Sequence, residues 1–200
     1  MTASLPNEVE THRQPDHEIN PQFLTRWSPR SFTNQEVPED VLLSLFEAAR
    51  WAPSGSNLQP WHFIVARTEE QRAKFHRFIV PANLEWCEKA PVLALLVSYT
   101  KTPKGGDSPS HAFDAGTAWG YLALEANNQG LITHAMGGFD HQLARETLQI
   151  PDDYQTHAVI AIGHRGPVDA LPERFQEREV PSPRRPVSEF VYEGTFGQSL

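Results

Sequence analysis

Only one cysteine, Cys87, occurs in this 200-residue sequence, so no disulfide can close within one chain. A lone thiol fits a reducing compartment, and a cytoplasmic location is expected. Cys87 lies between Trp86 and Glu88 with Lys89 as its nearby cation, and reads as a packed, unreactive thiol. Long apolar runs are missing too. Nothing approaches the ~20 residues that span a bilayer, and residues 1–20 carry no stretch of the signal-peptide kind. Positive charge is scarce, with 17 Lys and Arg against 25 Asp and Glu and a formal net charge of −8. Neither nucleic acid nor a membrane is expected as partner, because each phosphate contact needs a cation beside it. Any anion this chain binds must therefore meet a local cluster. Gly-x-Gly-x-x-Gly and Gly-x-x-x-x-Gly-Lys-Ser/Thr are both absent, which argues against a resident dinucleotide on a Rossmann unit and against a P-loop nucleotide. The 9 histidines are scattered without His-x-x-x-His spacing, and no metal site is expected.

What is present suffices for one domain: 39% of the residues are hydrophobic, enough to close a core without a staple. Residues 1–20 are polar and mixed in charge, and read as a flexible N-terminal arm. Pro38, the acids Glu39 and Asp40, and the stripe Val41, Leu42, Leu45, Phe46, Ala49 predict a helix. A loop from Pro53 to Pro60 follows, then a strand over Trp61 to Ala66, and a helix opened by the capping box Thr68-Glu69-Glu70-Gln71. Val92 to Val97 is a continuous apolar run, the pattern of a strand buried on both faces. Phe113 to Asn128 predicts a helix apolar nearly all round and hence central, stopped at Gly130. Leu131 to Met136 and Thr156 to Gly163 read as strands, with a short helix between them capped by Asp140 and ended by Pro151. The alternation implies α/β or α+β layers around one sheet. From Arg165 on, five prolines forbid regular structure while Phe190, Tyr192 and Phe196 call for burial. An arm wrapping a second subunit satisfies both demands, and a disordered tail is the alternative.

Four stretches could carry chemistry. In Arg26-Trp27-Ser28-Pro29-Arg30, two guanidinium groups flank a hydroxyl, a set able to cradle a phosphate, though a pair of solvated surface arginines fits equally well. Arg184-Arg185 is a second basic pair in the tail. The Pro53-to-Trp61 loop offers small donors that can approach a flat ring, and Gly137-Gly138 lets backbone amides come close to a ligand or simply makes a tight turn.

Taken in order, Arg-x-Ser-x-Arg-x-Phe, Ala-Pro-Ser-x-x-Asn-x-Gln-Pro-Trp, Ala-Pro-Val-Leu, Met-Gly-Gly-Phe-Asp and Arg-x-Pro resemble the nitroreductase family from about Phe23 to Phe196. The resemblance implies a three-layer α+β fold: a central, mostly antiparallel sheet with helices on both faces, and a C-terminal arm extending onto the partner subunit. It divides the chain into an arm (1–20), an FMN-binding domain (21–165) and the C-terminal arm (166–200). It also implies FMN, with the phosphate held by Arg26, Ser28 and either Arg184 or Arg185, and with Trp27 and Arg30 beside the ribityl chain and ring. Asn83 would bond the ring, Asp114 would make a polar flavin contact, and Gly137 and Gly138 would lie near the N5 edge. Pro53, Ser54, Gly55 and Asn57 would come from the partner of a homodimer. Glu85 departs from relatives that carry lysine nearby.

The activity implied is NAD(P)H-driven reduction of a small electron-poor acceptor such as a nitroaromatic or quinone, by a ping-pong route needing no catalytic side chain. A dehalogenating or flavin-fragmenting enzyme on the same fold is an alternative, which a lid would signal; the Lys101–Ser110 loop is too short and polar for one. A non-catalytic FMN-binding module is another.

Overall fold

The computed structural model describes residues 5–200. Its sheet has four strands, β1 (Trp61–Ala66), β2 (Val92–Tyr99), β3 (Ile132–Met136) and β4 (Tyr154–Gly163), in the order β1-β2-β4-β3. Every neighbouring pair is antiparallel. β2 is buried along Val92 to Ser98, as its unbroken apolar run requires. The two-residue period of a strand divides that run between two cores. Leu93, Leu95 and Val97 face Phe75, Trp86 and Ala144, whereas Val92, Ala94 and Leu96 face Leu45, Ala118 and Leu122. The result is the three-layer α+β arrangement.

One outer layer is α3 (Glu39–Arg50) and α6 (His111–Asn128); the other is α4 (Glu69–His76), α5 (Pro81–Cys87) and α7 (His141–Leu148). The local signals hold. α3 has Glu39 and Asp40 in its first turn and Arg50 in its last, and α4 has both halves of the Thr68/Gln71 capping box. α7 is capped by Asp140, whose Oδ1 accepts from the Leu143 amide at 2.9 Å. Between Leu96 and Val97 the β2–β4 register slips, which leaves His157 opposite no residue of β2.

Three expectations are refined by the described residues. The N-terminal arm is ordered within the described residues, and its first four positions lie outside them. Asn7–His12 form α1, Val9 is buried, and Arg13 is only 8% exposed. Its polarity misled because Arg13 is bonded to backbone carbonyls elsewhere in the chain, so burial does not need an apolar residue there. α6 is not enclosed all round. Ala115, Ala118, Leu122 and Ala126 are buried, but Phe113 is 79% exposed and Tyr121 also faces out. The C-terminal arm stays on its own chain as far as Pro181, with Leu171 and Phe175 buried around the short α8 (Glu173–Gln176). Beyond it, Phe190 and Phe196 are exposed. Among the described residues no helix is long and apolar enough to cross a membrane.

Candidate functional site

The turn after Arg26 is held from behind by the tail. The Ser31 hydroxyl donates to the Pro167 carbonyl at 2.6 Å, and the Gly166 amide donates to the Ser31 carbonyl at 2.8 Å. Glu179, 2% exposed, accepts the Arg30 amide on both carboxylate oxygens at 2.8 and 2.9 Å and the Ser31 amide at 2.9 Å. With the backbone clamped, the side chains of Arg26, Trp27, Ser28 and Arg30 line a cavity of about 440 Å³. Arg13, Arg178 and Arg184 line it too, and no carboxylate does. In a chain of net charge −8 this is the concentrated positive site.

Burial, followed by repulsion from Arg184 and Arg26, pushes the Arg13 guanidinium down to about 10. Arg26 is lowered by burial and by Arg184. Arg30 is lowered by burial and Arg178, while Glu179 pulls the other way. All three remain cationic at neutral pH, so like charges are crowded with reduced solvation. Such an arrangement costs free energy unless an anion joins it. Arg13 Nη2 is buried without a hydrogen-bond partner among the described residues. Arg184 lines this cavity; Arg185 lines the adjoining one of about 770 Å³, with Val187 and Phe190.

His134 on β3 forms the floor, its Nδ1 3.0 Å from the Pro29 carbonyl and its ring centroid 4.4 Å from that of Trp86. Burial pushes its imidazole down to about 4, with Arg30 and Arg26 adding to the effect against the Pro29 carbonyl. An unfolded imidazole titrates near ~6.5. Between that value and about 4 the unfolded chain binds a proton that the folded chain refuses, so stability falls as pH falls through this window. The full loss is roughly 3 kcal/mol. Urea midpoints measured from about pH 7 down to about pH 4.5 should fall less steeply in His134→Gln than in the parent; identical slopes would exclude this role.

Three and four residues on from His134, just past the end of β3 and roughly 10 to 13 Å away at strand rise, lie Gly137 and Gly138. The Gly138 carbonyl accepts from Asn83 Nδ2 and from the Val80 amide, both at 3.1 Å. A Cβ on Gly138 would sit 2.5 Å from Asn83 Nδ2, whereas one on Gly137 would meet nothing within 4 Å. Gly138 thus makes room for Asn83, and Gly137 leaves an open approach. Glu85 pairs with Arg174 of the tail, which offsets the acid at that position. Trp27 lies under the Arg165 guanidinium, 4.8 Å from its ring centroid.

The loop after α3 is strained: Ser56, Asn57 and Gln59 have φ of 50, 56 and 48°, left-handed values unusual without glycine. Pro53, Gly55 and Asn57 are exposed, and Ser54 is partly so. Asp114 is buried, and its Oδ2 accepts from the Gly55 amide at 3.2 Å and the Ser110 hydroxyl at 3.0 Å. It fastens the loop to the start of α6. At the other end of that helix, Asn127 Nδ2 donates to Thr25 Oγ1 at 2.8 Å, beside Arg26. Asp114 and Asn127 are thirteen residues apart, about 20 Å along a helix. The loop and the arginine cavity therefore lie at opposite ends of α6, and one chain does not bring them together.

Arg13, His134, Arg178 and Glu179 escaped sequence reasoning. Arg13 lies in the polar leader and Arg178-Glu179 among tail prolines, where no periodicity marks a buried position. The only signal was the formal need for cations around any bound anion.

The geometry gathers five arginines around one cavity beside His134 of β3. The chain belongs to the nitroreductase family, whose model matches residues 24–85 and 78–164, and it is an oxidoreductase of that family. A crystal structure described as an oxidoreductase containing FMN is 38% identical, with a TM-score of 0.90 over 94% of this chain and 97% of that one. An NADH dehydrogenase of Thermus thermophilus is 29% identical over 174 residues, 70% of this chain and 83% of its own. Iodotyrosine deiodinase bound to FMN and 3-iodo-L-tyrosine shares the fold, at a TM-score of 0.62 and 20% identity over 87% of this chain and 97% of that one.

Proposed function

We propose that this chain is an FMN-dependent enzyme that takes hydride from NAD(P)H and reduces small electron-poor acceptors, nitroaromatics and quinones among them. The observation that carries the reading is the guanidinium-lined cavity: Arg13 Nη2 is buried there without a partner among the described residues, and β3 leads from there to the open Gly137. A phosphate monoester fits the cations, and the roughly 10 Å of extended backbone from His134 to Gly137 matches the reach of a ribityl chain towards a flat ring. The protein described as containing FMN, similar over nearly the whole chain, supports the same cofactor.

FMN, if bound here, would supply the hydride-transfer chemistry of a ping-pong exchange between NAD(P)H and the acceptor. The chain's own residues bind and orient. Arg26, Ser28 and Arg184 would hold the phosphate, and Trp27 would flank the ribityl chain. Arg30 would supply a cation to stabilise the negative charge that develops on the reduced ring. Asn83, Gly137 and Gly138 would receive the ring. Because no proton-transfer group is needed for hydride passage, the site's work is placing donor and acceptor at roughly 3.5 Å.

The separation of loop and cavity along α6 favours a homodimer in which Pro53, Ser54, Gly55 and Asn57 of one protomer complete the other's site. The exposed Phe113 and Tyr121 on α6, with Trp51 nearby in sequence to the loop, offer the apolar face for it, and residues 182–200 can extend across the partner. The buried Cys87 thiol, pushed up to about 12 by burial, fits a cytoplasmic setting. The Lys101–Ser110 loop is closed on itself by the Lys101–Asp107 pair at 2.7 Å, and so does not favour a lidded dehalogenating site.

The test is optical. Purified protein should be yellow or take up FMN, bleach anaerobically with NADH or NADPH, and recolour on adding menadione or nitrofurazone. Failure to take up FMN, or a bound flavin that neither donor bleaches, would overturn the reading; bleaching without recolouring would reduce it to a flavin-holding module.

A further inference from the structure

We infer that Arg13 is a further phosphate ligand of the cofactor site, delivered by the N-terminal segment and closing the cavity between the Arg26 turn and the tail. This rests on the FMN reading and adds to it a residue outside the Arg26-x-Ser28-x-Arg30 motif.

Arg13 has five N–H donors in a rigid fork. Nη1 donates to the carbonyls of Leu24 at 2.7 Å and Arg26 at 2.8 Å, and Nε donates to the Ser182 carbonyl at 3.1 Å. Those three bonds tie the phosphate turn to the C-terminal tail through one side chain. They leave Nη2 over, buried and unpartnered among the described residues, on a side chain that lines the cavity with Arg26, Ser28 and Arg184. A guanidinium could satisfy its backbone bonds anywhere along the chain. Holding one nine-tenths buried against two others is unfavourable unless a dianion offsets the repulsion. The planar fork is suited to bridging carbonyls with one edge and phosphate oxygens with the other.

A linkage follows. Without an anion, repulsion from Arg26 and Arg184 works to expel Arg13, and α1 (Asn7–His12) has few other attachments: buried Val9 and the Glu8–Arg165 pair at 2.8 Å. With the phosphate in place, the segment is clasped. Phosphate occupancy and ordering of residues 5–19 are therefore coupled, each favouring the other to the same extent.

Riboflavin, which keeps the ring and ribityl chain and lacks the phosphate, separates ligand from scaffold. Apoprotein titrated by flavin fluorescence should bind FMN about 10- to 100-fold more weakly in Arg13→Met, while riboflavin affinity changes less than about twofold. Arg13→Lys should recover part of the FMN loss. Hydrogen exchange on the parent apoprotein is the second measurement: FMN should protect residues 5–19 and riboflavin should not. Equal weakening for both flavins, unchanged FMN affinity in Arg13→Met, or equal protection by both flavins would overturn the assignment. A parent that does not prefer FMN to riboflavin would instead sink the phosphate reading beneath it. Should Arg13→Met fail to fold, the exchange comparison decides alone.

Discussion

Arg26→Met is expected to weaken FMN binding about 100-fold while leaving the apoprotein as stable as the parent, or more so. Two effects of opposite sign meet at this side chain. A charge-assisted hydrogen bond contributes about 1.5–3 kcal/mol, and a bidentate arginine on a phosphate makes two, so losing roughly 3 kcal/mol corresponds to two orders of magnitude in affinity. In the apoprotein the same guanidinium is a liability. It presses on Arg13 and Arg184, it is lowered by burial, and its one side-chain hydrogen bond among the described residues is from Nη1 to the Ser28 hydroxyl at 3.4 Å. Removing it relieves that repulsion and leaves the backbone bond from Arg13 to its carbonyl intact. Flavin titration and a thermal melt of the apoprotein check both halves. Affinity and melting temperature falling together would show Arg26 to be scaffold and not ligand.

Glu179→Gln is expected to show the reverse pattern: a large loss of stability, with weaker FMN binding following from it. Glu179 does not line the cavity. Its carboxylate lies behind the turn, almost wholly out of water, receiving the amides of Arg30 and Ser31. Glutamine keeps one oxygen, which both amides can still reach, but it removes the charge they bond and sets a buried NH₂ group against the Arg30 amide donor. The cost is about 3 kcal/mol by the usual worth of charged hydrogen bonds and the penalty for a buried unsatisfied donor. Urea unfolding would register it as a lower midpoint at unchanged slope. Parent-like unfolding would mean that the clamp is not what holds the Arg30 turn. The contrast between the two variants separates the groups that hold the ligand from those that hold the groups.

Much of the fold was readable because its causes are local. The capping box at Thr68, the Asp140 cap and the stripe of α3 each depend on residues within one or two turns, and each appears where the spacing puts it. The unbroken run of β2 announced burial on both faces without showing whether its neighbours were parallel; they are antiparallel, with helices supplying both covers. Reading failed where a polar residue is buried by partners far along the chain. Arg13 sits in a stretch whose composition resembles a loose leader, and it is held by the carbonyls of Leu24, Arg26 and Ser182. Asp114, singled out by the family resemblance, bonds Gly55 and Ser110, a pairing no local pattern announces.

By itself the sequence determined the helices α3, α4, α6 and α7, the strands, the one-cysteine chemistry and the presence of a guanidinium–hydroxyl–guanidinium motif, because these follow from neighbours a few residues apart. Only the tertiary structure decided that Arg13, Arg178 and Arg184 gather about that motif, that Arg185 stands in the adjoining cavity, and that the strained loop lies at the far end of α6. The physical reason is that such gathering closes loops of up to about 170 residues against like-charge repulsion, and the packing of the whole chain around its sheet holds the cations together.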